Sequence, residues 1–255
     1  MDNCLSRVQE IEEKFGVKKS RTTAKLDYIQ SATGLILALF VWAHMFLESS
    51  ILISKDAMYE ISKLLEGEPI FGQPYPIIIT FIAVFVTIVF VVHAVVAVRK
   101  FPAGYKQYKI FKAHSIRMNH LDTKLWSLQV WTGFFLFFLA TVHLFIVMTH
   151  PADVGPFASS DRMVSEWMAP LYVLLLISAV LHATVGLYRL CIKWGWFDGA
   201  NPKQNRKILQ KLRNILIVFF LSLGLLSIAT YVKIGIEHKD KVGQRYTPTY
   251  ISEVK

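Results

Sequence analysis

Five long apolar runs alternate with polar segments along the chain, at about residues 28–51, 77–98, 125–149, 168–188 and 214–232. At about 1.5 Å per helical residue, each is long enough to cross a hydrocarbon core of about 30 Å. None shows the period-two alternation of a membrane strand, which argues against a β-barrel. The pattern predicts an all-α integral membrane protein with five transmembrane helices over residues 27–235. A polar segment (1–26) precedes them and a tail (236–255) follows. Within the first segment, Leu5, Val8, Ile11 and Phe15 fall at helical spacing and predict a short surface helix. That segment has no apolar stretch of the kind a secretory signal peptide requires.

Charge orients the spans. The chain carries a formal net charge of +10, which by itself is compatible with nucleic-acid binding. The distribution argues for a membrane instead. The successive polar segments hold 6, 2, 7, 1, 7 and 5 Lys and Arg. By the positive-inside rule the N-terminus and the 99–124 and 189–213 loops are cytoplasmic, and the C-terminus is periplasmic. The five basic residues that follow the last apolar run, at 233–255, run against this trend. Cys4 and Cys191 both fall on the cytoplasmic side, where no structural disulfide is expected. In the 52–76 outer segment, Asp56, Glu60, Glu66 and Glu68 are expected to face water, as most loop acids do.

The candidate chemistry lies inside the spans. The frame Gln-x-x-Thr-Gly, nine residues, His occurs twice, from Gln30 to His44 and from Gln129 to His143. The second and fourth spans share His-Ala followed by Arg, at His93 to Arg99 and His182 to Arg189. An imidazole in an apolar helix is costly to bury without a ligand or a hydrogen bond. The four histidines sort by depth. His44 and His143 lie late on outward-running spans, and His93 and His182 lie late on inward-running ones. Two pairs on four different helices suit bis-imidazole coordination of two b-type haems, making the first four spans a haem-binding bundle. Zinc prefers four ligands in one cluster, and the two pairs are too far apart for that. No Cys-x-x-Cys-His is present for covalent haem. Gly34 and Gly133 are candidates for close approach to a macrocycle or to another backbone. The fifth span has no histidine and is expected to complete the packing. Glu48, one turn beyond His44 on the same face, is a candidate for proton handling at the outer pair.

These residues resemble the dihaem cytochrome b membrane anchor of quinol:fumarate reductases, in the succinate:quinone oxidoreductase superfamily. The likeness covers roughly residues 20–235. It is carried by Ala24-Lys-Leu-Asp27 with Gln30-Ser-Ala-Thr-Gly34, by Arg99-Lys-Phe-Pro102, by Arg162-Met-Val-Ser-Glu-Trp167, and by Gly186-Leu-Tyr-Arg189 through Lys193-Trp-Gly-Trp-Phe197. The resemblance implies the outer haem on His44 and His143, the inner haem on His93 and His182, and inner-haem propionates met by Gln30, Ser31, Trp126 and Lys193. It implies that Glu66 accepts a proton from menaquinol, which takes this acid out of the water-facing group. It further implies an iron–sulfur subunit and an FAD-containing flavoprotein on the cytoplasmic face of the bacterial inner membrane, with room for a dimer of the whole complex. Electrons would pass from menaquinol through the two haems to the iron–sulfur subunit. Fumarate reduction would occur in the partners, since this chain has neither a cluster-binding Cys motif nor a dinucleotide glycine motif. Some family members carry a glutamate two residues before the fourth-span histidine. Here that position is Val180, which leaves no carboxylate for a proton path there.

Two other functions stay open on the sequence. The same architecture working in reverse is a succinate:quinone reductase, because direction depends on quinone potential. A haem-free transporter or structural anchor with packed histidines is the alternative from another class.

Overall fold

A computed structural model describes residues 21–118 and 120–252. The surface helix expected around Leu5 to Phe15, and Cys4, lie outside the described residues. The described chain is helical throughout: α1 Thr22–Glu48, α2 Lys55–Leu65, α3 Glu68–Phe71, α4 Ile77–Val98, α5 Tyr105–Met118, α6 Leu121–Thr149, α7 Pro156–Val164, α8 Ala169–Trp194, α9 Pro202–Glu237 and α10 Thr249–Ser252. Of these, α1, α4, α6, α8 and α9 are long and apolar enough to cross a membrane. The chain is therefore a multi-pass, all-α membrane protein.

The helices overrun the apolar runs where nothing stops them. α8 continues to Trp194 and ends where Gly195 adopts a left-handed conformation (φ 65°). α9 starts at Pro202, which suits a first turn because it has no N–H to leave unpaired. Twelve polar-rich residues, expected as loop, thus form its first turns. Leu209 and Ile217 pack from this helix onto Leu125, Val185 and Tyr188. In the 52–76 segment, Ser54 caps α2 through the Ala57 amide, and left-handed Gly67 and Gly72 bracket α3.

Packing runs in a ring. α1 packs on α4, α4 on α6, α6 on α8, and α8 back on α1, while α9 lies outside against α8 and α1. In lipid the hydrophobic effect does not drive such contacts, and close packing with polar bonds must do so. The apolar faces turned away from the bundle stay exposed, as at Phe81, Phe85, Ile88 and Val95 of α4, and these suit acyl chains. α7 packs across the far part of α9, where Ile51, Met58, Met163, Tyr231 and Ile234 make a buried cluster.

The tail after α9 clasps this same end. His238 Nδ1 sits 2.8 Å from Asp161 Oδ1 with both side chains buried, and the Gly243 amide donates to Asp161. Arg245 pairs with Asp153. Asp56 accepts from the Tyr246 hydroxyl and from Thr249, and Glu60 accepts from Tyr250. Part of the tail's charge thus answers loop acids, and Asp56 and Glu60 are held by the tail rather than left to water. The Thr249 hydroxyl, followed by Tyr246, keeps the Asp56 carboxyl below its usual range. The bond to Glu60 pushes the Tyr250 phenol up to about 12.

Candidate functional site

The centre of the ring is a cavity of about 1150 Å³ lined by all four histidines. That exceeds the roughly 300–1,000 Å³ typical of a site for one small ligand. His44 on α1 faces His143 on α6, with ring centres 6.1 Å apart. His93 on α4 faces His182 on α8, with ring centres 6.3 Å apart. Each pair thus joins diagonally opposed helices across the interior, not neighbours. The members of a pair do not hydrogen-bond to each other. A metal–imidazole bond of about 2.0 Å plus about 1.1 Å to the ring centre, taken on both sides, gives roughly 6.2 Å. Each gap therefore fits one iron between two ring nitrogens, and the long cavity gives room for two flat macrocycles.

The repeated frame does two jobs. Its C-terminal end supplies His44 or His143, while its Thr-Gly end holds the histidine of the next span. Thr33 Oγ1 lies 3.1 Å from His93 Nδ1, and Thr132 Oγ1 lies 3.2 Å from His182 Nδ1. The Gln129 carbonyl accepts from His182 Nδ1 at 3.0 Å. Such bonds fix the tautomer and aim the other ring nitrogen inward. A Cβ built on Gly34 would come within 2.9 Å of His93 Cε1, and one on Gly133 within 2.9 Å of His182 Cε1. These glycines make room for an imidazole, not for a backbone. The sequence reading passed over Thr33 and Thr132. The signal was present, because both belong to the repeat. On the His44/His143 pair, the Tyr172 hydroxyl is 3.4 Å from His143 Nδ1, and Phe40 stacks on His44.

The two halves differ in one telling way. His182 and Arg189 are seven residues apart, whereas His93 and Arg99 are six apart. One residue turns a helix by about 100°. Arg189 accordingly reaches Gln129, while Arg99 turns to Asp27. Gln30 then keeps a buried side-chain oxygen without a partner among the described residues. Gln30, Ser31, Trp126 and Lys193 all line the same end of the cavity. Lys193 Nζ donates to Ser31 Oγ at 3.3 Å, and Phe111 of α5 packs on Trp126.

At the other end Glu48 lines the cavity, and its carboxylate accepts from the Tyr231 hydroxyl at 3.0 Å. α9 thus reaches the site through Tyr231, beyond the packing role expected of the fifth span. Glu66 is 1% exposed and forms an ion pair with Lys63 at 2.7 Å. It does not itself line the cavity, although its neighbour Leu65 does. Val180 is fully buried and apolar. Cys191 is buried and free.

Fold and site together define a helical membrane protein whose bundle encloses a long cavity lined by two pairs of facing histidines. Residues 106–225 match the family described as succinate dehydrogenase/fumarate reductase transmembrane subunit. The fumarate reductase cytochrome b subunit of Wolinella succinogenes is 52% identical over 223 residues, covering 88% of this chain and 87% of the relative. Proteins of the same name from two strains of Helicobacter pylori are 50% and 48% identical over 225 residues, again covering 88% of this chain and 87% of each relative. The chain belongs to this family of fumarate reductase cytochrome b subunits.

Proposed function

We propose that this chain is the quinol-oxidising membrane anchor of a respiratory fumarate reductase, in the bacterial inner membrane with its N-terminus cytoplasmic and its C-terminus periplasmic. The observation that carries the reading is the pair of diagonal histidine gaps, each of a size for one iron, in one continuous cavity. His44 and His143 would hold the outer haem b and His93 and His182 the inner one, with Gln30, Ser31, Trp126 and Lys193 at the inner propionates. Bound there, the haems would supply one-electron chemistry linking a quinol near the outer end to an iron–sulfur subunit at the opposite face. An FAD-containing flavoprotein would follow that subunit and reduce fumarate.

The chain's own residues do the rest. Thr33, Thr132 and the Gln129 carbonyl orient the inner imidazoles. Menaquinol loses two protons with its two electrons, and Glu66 takes one of them. The names of the relatives favour the fumarate-reducing direction over succinate oxidation. A reduced-minus-oxidised spectrum of the purified complex, with a menaquinol analogue as donor, tests the reading. Two b-type components reduced by quinol are expected. Absence of any b-type signal ends it and leaves a haem-free anchor or transporter.

Glu48 is the second candidate proton acceptor, beside the outer pair and held by Tyr231. The Glu48→Gln variant should retain both haems, while the dependence of the outer haem's midpoint potential on pH flattens, because an amide takes up no proton. An unchanged slope together with unchanged quinol turnover would sink this role.

A further inference from the structure

Three cations, two just past the end of α4 and one on α8, converge on one carboxylate at the His93/His182 end of the bundle. The Asp27 carboxylate of α1 accepts from Arg99, lies 3.0 Å from Lys100 Nζ and lies 3.6 Å from Lys193 Nζ. The Lys193 ammonium also reaches the Asp27 carbonyl at 3.4 Å and Ser31 Oγ at 3.3 Å. Among the described residues none of the three cations has another salt bridge. Lys100 and Lys193 line the cavity, while Asp27 and Arg99 do not. The carboxylate therefore stands behind the rim, and two of the cations it gathers face inward.

One negative charge against three positive ones leaves a surplus of two at the cavity mouth. Without Asp27, three like charges would crowd one another, and the flexible lysine stems would swing out to water. With it, the ammonium groups stay at the rim, still under-neutralised and able to accept carboxylates. The second half of the repeat lacks this arrangement. Trp126 occupies the position equivalent to Asp27, and Arg189 is taken up by Gln129. The device is thus particular to the mouth beside α1, where the unpartnered oxygen of Gln30 also lies.

We infer that Asp27 is a positioning residue that holds Lys193 and Lys100 ready for the carboxylates of the ligand bound at His93 and His182, and so sets that ligand's redox potential. The inference rests on the reading of an inner haem there. Withdrawing the two ammonium groups that Asp27 holds favours the more positive oxidised state and outweighs the loss of its single negative charge. In the intact complex, Asp27→Asn should therefore shift the inner haem's midpoint potential downward, with both haems retained and the outer midpoint unmoved. If Asp27 acts through Lys193, the shift is smaller in a Lys193→Met background, a coupling that a double-mutant cycle reads directly. Asp27→Glu should return the midpoint toward the starting value.

An unmoved or raised inner midpoint, equal shifts at both haems, or a shift undiminished in the Lys193→Met background would each overturn the inference. Should Asp27→Asn not assemble, Lys100→Gln tests the same balance from the other side. It removes a positive charge, so the inner midpoint should fall, and no change overturns the inference. Failure of the underlying haem reading gives a different result, in which His93→Ala keeps the inner component.

Discussion

His44→Ala or His143→Ala should remove one b-type haem completely and spare the other, and His93→Ala or His182→Ala should remove the complementary one. Each pair straddles an iron-sized gap between diagonal helices, so losing one ring would leave an iron proposed there with a single protein ligand and a void on the other side. The opposite pair keeps its own supports, because Thr33 and Thr132 belong to His93 and His182 and Tyr172 to His143. Haem content and redox-resolved spectra of the four variants decide the matter. If His44→Ala and His93→Ala lost the same component, the pairing would be wrong.

Glu66→Gln should lower menaquinol oxidation by about 10²–10⁴-fold, the usual contribution of a positioned proton acceptor. Both haems should remain, as should fumarate reduction driven by artificial donors. The carboxylate is almost fully buried at the end of α2, with Lys63 as its partner. Its bond to Lys63 holds it in one place, and an amide there cannot accept a proton. Measuring turnover with a menaquinol analogue and with a dye donor in parallel separates lost proton transfer from lost assembly. Normal menaquinol turnover in the variant would return Glu66 to a structural role.

Hydropathy is one-dimensional, and it carried a good deal here. It located the five spans, because a backbone in lipid must satisfy its own hydrogen bonds and long apolar helices do so. It also ranked the histidines by depth, since position along a straight helix is simply residue number times rise. It was poorer at the ends. Polar residues from Pro202 to Arg213 remain helical because a helix stops at a stop signal such as Gly195, not where hydropathy falls.

What the sequence by itself determined is thus the class of protein, the number of spans and the residues placed at each depth. Only the tertiary structure decided which helices stand diagonally opposed, and hence that the rings of each pair lie about 6 Å apart. It likewise gave Thr33, Thr132 and their glycines to the histidines of the following spans, and it brought Tyr231 to Glu48 across 183 positions of sequence. The physical reason is rotation. Depth depends on rise alone, but partners depend on which way each side chain faces around its helix. One residue's difference is enough to send Arg99 to Asp27 and Arg189 to Gln129.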